Sequence, residues 1–174
     1  MSISDLLLPE FDQEMAGTRN LLQRVPMDKP DWKPHNKSMT MGRLAGHVAE
    51  LANWAARIIE TEVLDITPAV TGGHHGYAAK SSQELLQVFD KNAAEARNVL
   101  AKSSDEHLNK VWSMTLKGKT VLSGPRYPMI RSMFLNHLIH HRAQLGVYLR
   151  LNDVPLPAMY GPSADEGQVF SQEQ

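Results

Sequence analysis

The sequence predicts an all-α protein built as a four-helix bundle, with long loops between some of the helices. Glycine and proline, which interrupt helices, cluster at four places and leave four long stretches of chain between them. Apolar residues make up 42% of the 174 residues and charged residues 21%, which is the balance of a globular protein with a packed core. This length corresponds to one domain, so we expect residues 1–174 to form a single unit with a mostly irregular tail over 155–174.

The four predicted helices are bounded by this punctuation. Side chains that can accept hydrogen bonds from the first backbone N–H groups mark two of the starts. They are Ser38 or Thr40 for the second helix and Ser81 or Ser82 for the third. The helices are therefore predicted at residues 3–24, 40–63, 82–102 and 128–151.

The segment between the third and fourth helices has a weaker pattern. Residues 110–123 alternate loosely around Lys117, Gly118 and Lys119, as a small hairpin or an irregular crossover would. The connections around 25–39 and 103–127 are long for a simple bundle. We therefore expect extra loop structure over one end of it.

Charge and composition exclude several classes of function. Eighteen Lys and Arg residues oppose nineteen Asp and Glu residues and no basic run stands out, so we expect no nucleic-acid partner. No apolar run reaches the length of a membrane span, and no basic residue precedes Arg19, so we expect a cytoplasmic protein without a membrane partner. The E-x-x-H motif of di-iron bundles and the phosphate-binding glycine motifs do not occur in the sequence.

Two histidines occupy unusual positions in the last predicted helix. Its apolar residues form one stripe: Ile130, Met133, Phe134, Leu138, Leu145 and Leu149. His137 and His141 fall inside this stripe, four residues apart, so their rings project from one face on successive turns. A buried imidazole without a partner costs free energy, and a bound metal ion would offset that cost. Hydrogen bonds to other polar groups of the core are the alternative interpretation.

A metal site needs a third ligand, and His47 is the best candidate. It lies in the middle of the second predicted helix, in line with Leu44, Leu51 and Ile58. The chain has no cysteine, so any metal must be bound by His, Asp or Glu. Three neutral imidazoles leave coordination positions open, as catalytic sites require. They suit zinc, nickel, copper or iron.

Three more residues are candidates for supporting roles around such a site. Gln144, one turn after His141, is placed to hydrogen-bond a metal-bound group, and Glu50 is placed to orient a ligand or act as a base. His140 lies at the edge of the apolar stripe. The alternatives are a polar residue at a helix interface for Gln144, a solvated Glu50 and a boundary His140.

The remaining histidines and three arginines have weaker assignments. Four histidines lie in predicted loops and are interpreted as solvated: His35, His74, His75 and His107. Of these, the adjacent His74 and His75 could also line the mouth of a site. Three arginines are candidates for binding an anionic substrate, with ordinary surface cations as the alternative: Arg126, Arg142 and Arg150.

Several segments together resemble one known family. The matching features are Trp32 and Pro34 ahead of Ser38, and LAGHVAEL, NHLIHHRAQL and VPLPAMYGPSADE at Leu44–Leu51, Asn136–Leu145 and Val154–Glu166. They make the chain similar to the DinB-like family of damage-inducible, YfiT-type metal-dependent proteins over nearly its whole length. Ala143, where glycine is frequent, is the main departure.

The resemblance implies a fold, a ligand set and two kinds of chemistry. It implies a four-helix bundle that binds zinc or nickel through His47, His137 and His141, and a homodimer. Relatives include S-transferases and isomerases that use low-molecular-weight thiols; with no cysteine in this chain, the sulfur would come from such a cosubstrate. Hydrolysis by metal-activated water is the other reaction that an open site allows. A non-catalytic metal- or ligand-binding stress-response module is the alternative class of function.

Overall fold

Helices form most of the structure, a computed structural model that describes residues 1–71 and 76–166. In chain order the elements are α1 (Ile3–Leu22), α2 (Met41–Leu51), α3 (Trp54–Glu60), β1 (Val63–Asp65), α4 (Thr67–Thr71), α5 (Ser82–Ala101), α6 (Asp105–Asn109), β2 (Val111–Leu116), β3 (Lys119–Pro125), α7 (Arg126–Met129), a π-helical turn (Ile130–Leu135) and α8 (Asn136–Arg150). The prediction of a mostly helical protein is confirmed. The all-α class is wrong, because a three-stranded sheet is present.

Side-chain caps set the starts of two long helices. The Thr40 hydroxyl accepts a hydrogen bond from the backbone N–H of Arg43 at 3.3 Å, and the Ser81 hydroxyl accepts one from Glu84 at 3.1 Å. Each cap satisfies one of the N–H groups that the first helical turn leaves without a partner. Of the two residues predicted for each start, the caps are therefore Thr40 and Ser81.

The predicted helix over 40–63 is wrong in its second half. It stops at Leu51, resumes as α3 and becomes extended from Thr61. At the junction, the Asn53 side chain accepts a hydrogen bond from Arg57 Nε at 3.2 Å. The Asn53 Nδ2 atom donates to Glu95 Oε2 at 2.9 Å, which connects the junction to α5.

The sheet has the order β1-β2-β3. Strands β2 and β3 pair antiparallel through a turn in which Lys117 and Gly118 have φ angles of 50° and 73°, the left-handed conformation of a tight two-residue hairpin turn. The hairpin interpretation of residues 110–123 is therefore confirmed. Strand β1 pairs parallel to β2, with Val63 opposite Ser113. Strand β1 has no counterpart among the predicted elements, since a three-residue strand has almost no periodicity of its own.

The last helical run begins earlier than predicted and is not uniform. It starts at Arg126 and widens into the π-helical turn before α8 continues to Arg150. Pro128 lies at this widening, and its carbonyl accepts a hydrogen bond from the Ser132 hydroxyl at 3.0 Å. Such turns occur frequently beside functional sites, and this one ends directly before the helix that carries His137.

One apolar core lies among α1, α2, α5 and α8. The rings of Phe11 and Phe134 are 5.7 Å apart in this core. Trp112 of β2 is fully buried against it and donates from Nε1 to the Thr61 hydroxyl at 3.0 Å, which attaches the sheet to the helices. Helices α2 and α8 contact each other directly. Within the described part of the chain, no helix has the length and apolarity needed to cross a bilayer.

A buried ion pair connects α1, α8 and the C-terminal tail. Arg142 Nη2 lies 2.6 Å from Glu14 Oε2, and both side chains are almost fully buried. The Tyr160 hydroxyl, from the tail, donates to the same carboxylate at 2.8 Å, and the Thr18 hydroxyl accepts from Arg142 at 3.1 Å. Arg142 therefore fastens the fold internally, and neither predicted role, substrate binding or surface cation, is correct.

The other two arginines have different surroundings. Arg126 is buried, and its guanidinium donates to backbone carbonyls that include those of Ile58 at 3.1 Å and Thr61 at 2.8 Å. It thereby joins the end of α3 to the sheet, so both predicted roles of Arg126 are wrong. Arg150 is exposed and pairs with Asp165 at 2.5 Å, which makes it the predicted surface cation.

Candidate metal centre

Three histidines from two neighbouring helices meet on one side of the core. His47 comes from α2, and His137 and His141 come from successive turns of α8. Their ring centroids are 4.6 Å apart for His47 and His141, 4.7 Å for His137 and His141, and 5.4 Å for His47 and His137. One nitrogen of each half-buried ring lies within 4.8 Å of the other two. The structure therefore brings together the three residues that were singled out as candidate ligands.

The hydrogen bonds of the cluster do not satisfy the lone pairs of all its ring nitrogens. Gln144 Oε1 lies 2.8 Å from His141 Nδ1 and accepts its proton, so the lone pair of His141 is on Nε2. That Nε2 atom is 2.9 Å from Nε2 of His137. One proton between the two nitrogens would place the lone pair of His137 on Nδ1, where no described residue offers a hydrogen-bond donor. A cation held by both Nε2 atoms removes this conflict, because Nδ1 of His137 then keeps its proton and can donate towards the Met133 backbone. The residues therefore fit a metal ion.

Electrostatics keep these imidazoles neutral. Burial lowers the pKa of His47 to about 3, and positive charge on His141, Arg43 and His137 acts in the same direction. Burial also lowers the pKa values of His137 and His141, although the hydrogen bond to Gln144 opposes the effect at His141. The neutral imidazole is the form that binds metals. The cluster is therefore in its ligating form at neutral pH.

The stability of the metal-free protein is expected to fall as the pH drops below about 6.5. The pKa of His47 changes from the ordinary 6.5 to about 3 on folding, so between these values the unfolded chain binds a proton that the folded chain excludes. The stabilisation is complete above the unfolded pKa and is lost towards the folded pKa, by up to about 1.4 kcal/mol per pH unit for one histidine. Urea unfolding with a chelator at a series of pH values measures this slope.

His47→Gln provides the control for that slope. The variant removes one titrating imidazole from the cluster and keeps a polar side chain of similar size. We expect its free energy of unfolding to depend less steeply on pH than that of the wild type. If the two proteins show equal slopes of unfolding free energy against pH, His47 is not the group whose titration causes the pH dependence.

The three predicted supporting residues lie at different distances from the cluster. Gln144 hydrogen-bonds to His141. His140 is exposed, with its ring centroid 4.8 Å from that of His141. The Glu50 carboxylate faces a cation instead, with Oε2 at 3.6 Å from Nη1 of Arg43. Gln144 is thus the candidate that has a direct contact suited to orienting a ligand.

The other histidines lie away from the cluster or outside the described residues. His35 is exposed in a loop, as predicted. His107 is half-buried, and its Nε2 lies 2.7 Å from the carbonyl oxygen of Ile59, so its interpretation as a solvated residue is wrong. This contact fastens the short helix α6 to α3. His74 and His75 lie outside the described residues.

Two residues near the cluster were missed in the sequence. Arg43 lies one turn before His47 on α2, and its charge acts on both His47 and His141. The Trp54 ring, at the start of α3, stands edge-on to His137 with a centroid distance of 6.4 Å. The signal for Arg43 was present, since residues 43, 47 and 50 occupy one face of a helix by their spacing. No local signal links Trp54 to His137, because they belong to different helices.

The chain at Tyr77 passes very close to α2. A Cβ atom added at Gly46 would lie 2.0 Å from the Tyr77 carbonyl oxygen and 2.9 Å from its carbonyl carbon. Only glycine permits so close an approach of one backbone to another. Because Gly46 directly precedes His47, this close approach of Tyr77 lies beside the turn of α2 that carries one of the candidate ligands.

Gly46→Ala is expected to destabilise the protein by about 1–3 kcal/mol, because a backbone oxygen cannot rotate away from the added methyl group as a side chain can. Gly146→Ala on α8 is the matched control, since a Cβ there meets nothing within 4 Å. The control should be neutral or stabilising by up to about 1 kcal/mol, as alanine is the better helix former. Urea denaturation compares the two variants. Equal effects would contradict the close approach at Gly46.

A mostly helical fold with three histidines converging from neighbouring helices defines a class, that of candidate histidine-ligated metalloproteins. The comparison with protein families then gives the particular family. The chain belongs to the DinB family, whose family model matches residues 1–174.

Relatives of the chain agree with this assignment. It is 23% identical over 172 residues to the uncharacterized protein YrdA of Bacillus subtilis (strain 168). The aligned region covers 97% of this chain and 95% of that protein. Crystal structures of two DinB-like proteins, one from Bacillus cereus ATCC 10987 and YjoA from Bacillus subtilis, each match with a TM-score of 0.65 and 19% identity. They cover 88% and 87% of this chain and 95% and 96% of their own lengths. At this identity, the likeness shows a shared fold.

Proposed function

We propose that His47, His137 and His141 bind one divalent metal ion, zinc or nickel with iron as the third candidate, and that the protein is a metal-dependent enzyme acting on a small molecule. The observation that carries the proposal is the convergence of three neutral imidazoles, two of which point their Nε2 atoms at each other across 2.9 Å. A donor set made only of imidazole nitrogens suits borderline metals of this kind. Three protein ligands leave room for a further ligand, which is the arrangement of catalytic sites.

The reaction that we favour uses a low-molecular-weight thiol. When bound, the ion supplies positive charge that stabilises a thiolate at neutral pH. The chain has no cysteine, so the sulfur belongs to a cosubstrate. Gln144 holds His141 through its Nδ1 atom and so keeps Nε2 directed into the cluster. The Trp54 ring stands edge-on to His137 and forms part of the surroundings of the cluster.

Glu50 offers little support for hydrolysis as the alternative reaction. It is the carboxylate on the His47 face of α2, and its Oε2 atom lies 3.6 Å from Nη1 of Arg43 instead of hydrogen-bonding to the histidines. A metal ion lowers the pKa of bound water as well as that of a bound thiol, so the activity screen decides between the two reactions.

Elemental analysis of protein purified without a histidine tag, followed by an activity screen, tests the proposal. We expect about one zinc or nickel ion per chain, in keeping with a single three-ligand site. The metal-loaded protein should consume the electrophile monochlorobimane only when free cysteine is supplied as the thiol. His137→Ala should lose both the metal and the activity. Metal-dependent hydrolysis of ester probes without a thiol would contradict the thiol chemistry, and bound metal without any turnover would favour a non-catalytic binding module.

A further inference from the structure

Arg43 carries a guanidinium group whose hydrogen-bonding capacity is partly unused. Its Nη1 atom is buried and has no hydrogen-bond partner among residues 1–71 and 76–166. The Glu50 carboxylate, at 3.6 Å from Nη1, is too distant for a hydrogen bond. On another side the group lies against the backbone of Gly76, where an added Cβ would come within 1.9 Å of Cζ. A buried charged donor without an acceptor costs free energy, so this arrangement calls for an anionic partner.

Arg43 faces the same region as the histidine cluster. It precedes His47 by four residues on α2, so the two side chains lie on one face of the helix. Its Nη1 atom lies 3.6 Å from Oε2 of Glu50, which follows His47 by three residues, so the guanidinium extends along the His47 face of α2. Arg43 is thus beside the proposed site and is not one of its ligands.

The charge balance of the site points to what Arg43 binds. The three histidines are neutral ligands, so they leave the double charge of a divalent ion uncompensated. Arg43 adds another positive charge, and Glu50 is the negative charge found close to it. An arginine in this position weakens the binding of a cation but strengthens the binding of an anion that sits between it and the ion.

We propose that Arg43 binds a carboxylate or similar oxyanion of the substrate that occupies the histidine site, so that the substrate is a small anionic molecule. This inference rests on the proposed function, because it assigns the substrate class of that site. The planar guanidinium presents several donors in a fork that matches an oxyanion. Arg43 therefore selects the substrate, while the histidines hold the metal.

The test compares two thiols of similar length on the zinc-loaded protein, anionic mercaptoacetate and neutral mercaptoethanol. Isothermal titration gives the affinity for each thiol in wild type, Arg43→Gln and Arg43→Lys. Arg97→Gln is the matched control, because it removes the same charge from an exposed pair with Asp12 between α1 and α5. We expect wild type and Arg97→Gln to prefer mercaptoacetate by about tenfold or more, since a hydrogen bond to a charged group is worth this much. Arg43→Gln should lose that preference.

The zinc affinity of each variant separates the two proposals. If Arg43→Gln binds zinc at least as tightly as the wild type but keeps the preference for mercaptoacetate, the role of Arg43 is refuted and the metal site stands. If the wild type binds no zinc, the proposed function fails, and the inference fails with it. If Arg43→Gln does not fold, Arg43→Lys decides. A single ammonium group in place of the fork should weaken mercaptoacetate binding and leave mercaptoethanol binding unchanged, and an unchanged preference in this variant would overturn the proposal.

Discussion

His141→Ala is expected to abolish the rise in melting temperature that zinc should give to the wild-type protein. His141 contributes the Nε2 atom that lies 2.9 Å from that of His137, so its loss reduces the site to two ligands. A metal that binds the folded chain alone stabilises it by about 2.7 kcal/mol at about a hundredfold excess over the dissociation constant, which corresponds to a shift of about 5–10 °C for a chain of this size. Differential scanning calorimetry with zinc and with a chelator measures the shift.

The variant should remain folded, which keeps the experiment interpretable. Alanine is a strong helix former, and the substitution removes one half-buried polar ring from α8. His35→Ala is the control, because His35 lies in an exposed loop away from the cluster. That variant should keep the full shift. A His141→Ala protein with the wild-type zinc content and the wild-type shift would show that the three histidines do not form the metal site.

Glu14→Ala should destabilise the protein by about 3–5 kcal/mol, because it leaves the Arg142 guanidinium buried without its carboxylate. The ion pair is 2.6 Å long, and both side chains are at most 6% exposed. The substitution also removes the acceptor of the Tyr160 hydroxyl, so the tail should be more accessible to protease around this residue. Urea denaturation gives the free energy of unfolding, and limited proteolysis reports on the tail.

A second ion pair on the same helix provides the control. Asp12 pairs with Arg97 at 2.7 Å, but both side chains are about half exposed. Asp12→Ala should cost no more than about 1 kcal/mol, since water and salt screen an exposed pair. The double variant Glu14→Leu/Arg142→Met should be less destabilised than Glu14→Ala, because it leaves no buried charge. If Glu14→Ala costs as little as Asp12→Ala, the buried pair does not stabilise the fold.

The parts of the fold that were predictable depend on local patterns. The long helices follow from the spacing of glycine and proline and from capping residues such as Thr40 and Ser81, which act on the next few backbone groups. The hairpin follows from the Lys117-Gly118 turn, whose left-handed conformation glycine favours. The strand β1 was not predictable in the same way. It depends on pairing with β2, far along the chain.

The candidate site was likewise predictable only where it depends on local sequence patterns. The four-residue spacing of His137 and His141 within an apolar stripe was visible in the sequence, and the structure places both rings beside His47. Arg126 was judged by its charge alone. Its burial follows from backbone carbonyls that approach it from other elements, which no local pattern encodes. A cation can be buried when enough acceptors surround it.

By itself, the sequence determined that this protein is mostly helical, where the first three of its long helices begin, and that two histidines share one face of the last one. These properties depend on neighbours within a few residues, because helix propensity, capping and the period of the helix are local. Only the tertiary structure decided that α2 lies beside α8, so that His47 joins the pair and Arg43 stands next to it. It also decided that Arg142 is buried against Glu14 and that a sheet completes the core. The reason is physical: these features arise from contacts between segments that are distant in the chain, and their free energy is available only once the helices have packed.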